Sequence, residues 1–152
     1  MTPLTCETVD RLEARIAAEF GTEPHDPRKY LFDQITRIPE ALVDVRLPLS
    51  RFLDRLEHIP RLFLFFDRHP NNAKLVARLL ASLGLPRELG FEAGAADLRQ
   101  FLSDDQCDMY VTTTDGQLLA VGCHEDDVVQ GERVIWTVER ADVVRRDKVR
   151  NE

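Results

Sequence analysis

The sequence predicts an α+β fold, with N-terminal helices packed on a mainly antiparallel sheet whose strands fall near 61–67, 107–114, 117–124 and 132–138. Three observations predict it. Apolar stripes at helical spacing dominate the first two thirds of the 152 residues, β-rich runs fill the last third, and an Asp115-Gly116 pair separates two of those runs.

Between Thr5 and Phe20, the residues Val9, Leu12, Ile16 and Phe20 recur at helical spacing, predicting an amphipathic helix that Gly21 stops in the left-handed conformation. Asp26-Pro27 reads as an N-cap followed by proline at the first helical position, and Leu31, Ile35 and Ile38 carry a second helix that Pro39 ends. Ala41 to Arg46 is a short β-like stretch. Pro48 to Ile59 then sets Leu49, Phe52, Leu53, Leu56 and Ile59 on one helical face, closed by Pro60.

The apolar run from Arg61 to Asp67 is too brief for a helix and suits a strand buried on both faces, inside the sheet. His69-Pro70-Asn71-Asn72 supplies turn and cap chemistry for a helix carrying Leu75, Val76, Leu79, Leu80 and Leu83, ended by Gly84. A loop rich in glycine and proline leads to a weaker helical stripe from Ala95 to Leu102. Cys107 to Thr114 and Gln117 to His124 then form a hairpin about a two-residue Asp115-Gly116 turn, with positive φ at the glycine and the aspartate. That turn sets the register: Thr112 faces Leu119, Tyr110 faces Val121 and Asp108 faces Cys123, while Val111 with Ala120 and Met109 with Gly122 share the other side. A last strand near 132–138 holds Trp136, read as a core residue.

Residues 1–144 read as one domain, and the charged stretch 145–152 as a frayed tail. At 43% apolar and 31% charged residues the chain is globular in composition. It begins without the basic and apolar regions of an export signal and has no apolar stretch of membrane-spanning length, so a cytoplasmic location is expected. Three cysteines, Cys6, Cys107 and Cys123, without C-x-x-C spacing fit free thiols in a reducing compartment. Register places Cys107 and Cys123 on opposite faces, where no disulfide can join them.

Charge is unevenly distributed. Ser103 to Asp127 contains Asp104, Asp105, Asp108, Asp115, Glu125, Asp126 and Asp127 with no lysine or arginine, and the rest of the chain is balanced, so the net charge of −7 lies in one hairpin and its shoulders. Asp104, Asp105, Asp108, Glu125, Asp126 and Asp127 are the expected binding residues. As an exposed rim they would repel nucleic acid and attract a basic protein surface or a cation. The plainer reading is a solvated set of loop acids.

Nucleotide-binding glycine motifs, the serine nucleophile elbow and the His-Glu-x-x-His zinc motif are all missing, so no cofactor is expected. Cys123-His124-Glu125-Asp126-Asp127 has the residue types of a metal cluster, but successive strand residues point to opposite faces, so Cys123 and His124 should diverge. A metal site would have to use Cys107, His124 and one loop acid; a thiol site would need Cys107 activated by an oriented His124. His25, His58 and His69 read as caps or solvent contacts.

Asp108-Met109-Tyr110-Val111-Thr112 and Cys123-His124-Glu125-Asp126-Asp127 resemble the C-terminal hairpin of uncharacterised small bacterial α+β families, some of the toxin-immunity type. The resemblance implies a small protein that binds a partner and does no chemistry. The leading expectation is therefore a non-enzymatic cytoplasmic binding protein, in its specific form an immunity protein that neutralises a basic toxin domain through the acidic hairpin. Partners are a basic protein, not nucleic acid or membrane. The alternatives are a small metal-assisted or thiol-dependent enzyme using Cys107, His124 and Glu125, and a structural subunit that self-pairs through an exposed Phe63 to Phe66 strand.

Overall fold

The computed structural model describes residues 1–104, 106–116 and 118–140. The Thr5 hydroxyl accepts the Thr8 amide at 3.1 Å and starts helix α1 (Cys6–Phe20), whose Val9, Leu12, Ile16 and Phe20 are all buried. The other helices are α2 (Leu49–Leu56), α3 (Pro70–Ser82) and α4 (Ala95–Leu102). His69 caps α3 through its ring nitrogen, and Gly84 beyond it has φ +70°.

The strands are β1 (Thr2–Pro3), β2 (Leu42–Pro48), β3 (Leu62–Phe66), β4 (Gly90–Ala93), β5 (Met109–Thr113), β6 (Leu118–Gly122), β7 (Val128–Val129) and β8 (Glu132–Arg140). They pair in the order β1-β4-β3-β5-β6-β8-β2, with β7 on β8, and every ladder among the described residues is antiparallel. The α+β class is that predicted.

Both faces of the sheet are covered. Leu62, Leu64, Phe66, Met109, Val111, Ala120 and Ile135 pack against α2, α3 and α4. The alternate residues Phe65, Tyr110, Leu119, Val121, Trp136 and Val138 pack against α1 and the segment around Leu31. Two cores on one sheet explain why β3 is apolar throughout: it lies between β4 and β5, so it is not the exposed edge that self-pairing would need. Trp136 is buried, as expected, with its ring 5.6 Å from Phe32.

Several expectations fail for identifiable reasons. Residues 26–38 form no α-helix, only a 3-10 turn at Phe32–Gln34. Asp26 accepts the Arg28 amide at 3.0 Å, while the amides of Leu31 and Phe32 go to Asp67 and the Tyr110 hydroxyl, so tertiary acceptors replace the helical ladder. Gly21 has φ −106° and is not left-handed; a Cβ there would lie 2.6 Å from the Ala17 carbonyl oxygen, so close approach requires the glycine. β4 lies in the glycine- and proline-rich stretch expected to be loop, and β1 pairs with it. The hairpin register agrees from Met109↔Gly122 to Thr112↔Leu119, yet the turn differs. Gly116 donates to the Thr113 carbonyl at 3.2 Å, centring the turn on Thr114 and Asp115, and only the glycine has positive φ, +74°. The stretch 145–152 lies outside the described residues.

Candidate functional site

Antiparallel order brings three chain ends to one end of the sheet: the exit of β3 at Asp67, the entry of β5 at Asp108 and the exit of β6 at Cys123. Asn72, from the first turn of α3, ties two of them. Its side-chain amide donates to the Asp67 and Asp108 carbonyls at 2.9 Å each, and its oxygen accepts the Asp108 amide at 2.9 Å. Both donors and the oxygen of a buried amide are thereby used to fix one strand end against another.

Asp67 is buried and holds the long loop before β2. Its carboxylate accepts from the Leu31 amide at 2.8 Å, from the His69 amide at 2.8 Å, and from the Tyr110 hydroxyl. Burial, and next the charge of Asp67, push the Tyr110 phenol well above its ordinary value, so it remains a donor.

Asp108 is 4% exposed. Its Oδ1 accepts from the His124 amide at 2.7 Å and its ring Nδ1 at 2.8 Å, and Oδ2 lies 3.1 Å from Nδ1. Hydrogen bonding to Asp108 raises the imidazole pKa. Tyr30 stacks on His69 with centroids 4.0 Å apart and stands 5.9 Å from the His124 ring, so three rings adjoin at the sheet end.

Cys123 and His124 do not diverge as alternate strand residues would. β6 ends at Gly122 and the chain turns, leaving the Cys123 sulfur 4.0 Å from His124 Nδ1. Cys107 instead lies in the core beneath α2–α4, fully buried, its thiol pushed up to about 12 chiefly by burial. The residues that come together are therefore Asp108, Cys123 and His124, with potential ligand atoms within 4.8 Å of one another. Cys123 is poorly placed as a nucleophile: burial pushes its thiol up to about 11, and it faces the imidazole nitrogen already engaged by Asp108.

The acidic residues separate into two groups. Asp126 accepts the Cys123 amide and Arg133 Nε, both at 2.9 Å, with its side chain only 8% exposed. Arg133, buried from β8, also donates to the carbonyls of Leu102, Asp104, Cys107 and Cys123. Asp104 is half-buried and caps the amides of Gln106 and Cys107 at 2.8 and 3.0 Å. Asp108 and Asp126 thus face inward, Glu125 and Asp127 are exposed, and Asp105 lies outside the described residues.

A short exposed hairpin joins β7 to β8 and has no counterpart among the predicted strands. Val129 pairs with Glu132 across Gln130-Gly131, both at positive φ (53° and 79°), the two-residue type I′ arrangement. Val128 and Val129 on it are 55% and 53% exposed. The Gln130-Gly131 dipeptide before an apolar strand was the available signal. Comparison with known proteins finds no matching family model, no matching curated protein and no matching solved structure. No helix among the described residues is long and apolar enough to cross a membrane.

Proposed function

We propose that this is a non-enzymatic cytoplasmic binding protein that engages a basic partner domain through the projecting segment Glu125–Val129, the partner being a toxin domain in the immunity form of the reading. One observation carries the proposal: Val128 and Val129 are more than half exposed beside the exposed carboxylates of Glu125 and Asp127. Covering a valine side chain is worth about 1.5–3 kcal/mol when burial is complete. Exposed carboxylates in the same segment as two exposed apolar side chains favour a positive surface and accelerate the encounter. Asp108 and Asp126 serve this surface indirectly, by fixing the root from which the hairpin projects.

The test compares affinity capture from the native host by the tagged protein and by a Val128→Ser/Val129→Ser variant. A species retained at low salt by the native chain and lost from the equally folded variant is expected. Equal retention by both proteins, or no specific species with either, contradicts the reading.

A further inference from the structure

We propose that Asp108, Cys123 and His124 form a binding site for one zinc-type divalent cation at the root of the projecting hairpin. None of Glu125, Asp127, Val128 and Val129 is a ligand, although the Glu125 carboxylate lies 3.7 Å from His124 Nε2.

The donor set selects the metal class. One carboxylate oxygen, one sulfur and one imidazole nitrogen form the mixed set favoured by zinc and cobalt, whereas calcium and magnesium take oxygen-rich shells of six or more. Three protein ligands leave a fourth position for water, on the side where His124 is 45% exposed.

The spacing is close to what such an ion needs. Metal–ligand bonds of about 2.0 Å to nitrogen and oxygen and 2.3 Å to sulfur put tetrahedral donors roughly 3.3–3.6 Å apart. His124 Nδ1 lies 3.1 Å from Asp108 Oδ2 and 4.0 Å from the Cys123 sulfur, so the first distance opens slightly and the second closes by less than about half an ångström. Oδ2 is the ligating oxygen, because Oδ1 remains on the His124 backbone amide at 2.7 Å. The cation takes the place of the hydrogen now shared between Nδ1 and Asp108. The neutral imidazole carries its proton on Nε2 instead, and the Cys123 thiol releases its proton to solvent on becoming a thiolate.

The ligands are held by groups other than the metal. Asn72 clamps the Asp108 backbone on both sides, and Asp126 and Arg133 hold the amide and carbonyl of Cys123 at 2.9 Å each. These contacts fix the backbone from which the Asp108 and Cys123 ligands extend.

Cobalt(II) titration of the reduced, chelator-treated full-length protein tests the site. Expected are one equivalent bound, a sulfur-to-cobalt charge-transfer band that stoichiometric zinc abolishes, and at least tenfold weaker binding in His124→Ala. Cys123→Ala should lose the charge-transfer band with circular dichroism unchanged, while Cys6→Ser and Cys107→Ser should keep it. Absence of cobalt binding to the native protein overturns the proposal. So does a band that survives in Cys123→Ala, or cobalt affinity unchanged in the folded, surface-exposed His124→Ala variant.

Discussion

Arg133 is heavily committed at the sheet end: its buried guanidinium donates to Asp126 and to four carbonyls, three within residues 102–107 and one at Cys123. Removing one member of a buried charge pair costs about 3–5 kcal/mol, because the partner is left charged and dry. Arg133→Ala should lower stability by that amount in a urea titration; a loss under about 1 kcal/mol would show that the fork is not a structural centre. Arg133→Lys keeps the charge but loses the planar fork and should fall in between. Tyr110 makes a second prediction. Its folded pKa lies above the unfolded one, so its contribution to stability is complete below about pH 10 and disappears as pH rises through the folded value. Tyr30 is also raised, chiefly by burial. An alkaline absorbance titration should therefore show neither of the two tyrosines ionising at the ordinary value, with Tyr110 tyrosinate appearing only as the near-ultraviolet dichroism is lost. Ionisation of both near pH 10 in a folded protein would contradict the buried phenol–carboxylate contact.

At the scale of elements, the acidic segment is two structures that composition merges. Asp126 is enclosed against Arg133, and Asp127 faces water. Asp127→Asn should change stability by less than about 0.5 kcal/mol, and Asp126→Asn should cost about 1–3 kcal/mol; equal effects in thermal unfolding would undo the distinction. Gly116→Val should destabilise the β5–β6 hairpin through the forced positive φ alone, since the nearest atoms to a new Cβ belong to the flexible Arg15 side chain, at 3.4 Å. A valine variant as stable as the native chain would refute the left-handed assignment. The hairpin register was legible because it depends on two neighbouring strands and a local turn. The stripes of α1 to α4 were legible because each helix buries one periodic face. Leu31, Ile35 and Ile38 show the same spacing without a helix, because Asp67 and Tyr110, distant in sequence, take the amides a helix would use. β1 and β4, of two and four residues, are too short to display alternation. Within the site, Asp108 and His124 were visible as residue types. The register also sets Asp108 opposite Cys123, but the arrival of His124 beside that pair was not legible, because it depends on β6 ending at Gly122, two residues before the predicted end of the strand. Arg133 was invisible as their neighbour for a similar reason: a count over consecutive residues misses a counter-charge supplied by the next strand.

Across the whole molecule, a sheet covered on both faces leaves chemistry to its ends and edges. One end gathers Asp67, His69, Asn72, Asp108, Cys123 and His124 into a hydrogen-bonded frame, and from that frame projects a short hairpin bearing the exposed valines. A net charge of −7 biases long-range approach toward cationic surfaces, and Asp108, Glu125, Asp126 and Asp127 all lie near this end. Internal pairing of Asp108 and Asp126 reduces the exposed charge at close range, which makes the contribution of Glu125 and Asp127 separable by mutation. The most direct measurement is the affinity for the captured partner at low and physiological ionic strength, for the native chain and for Glu125→Gln/Asp127→Asn. The account predicts binding that weakens steeply with salt in the native chain, and a variant that binds more weakly with a shallower salt dependence. Unchanged affinity and salt dependence in the variant would contradict it.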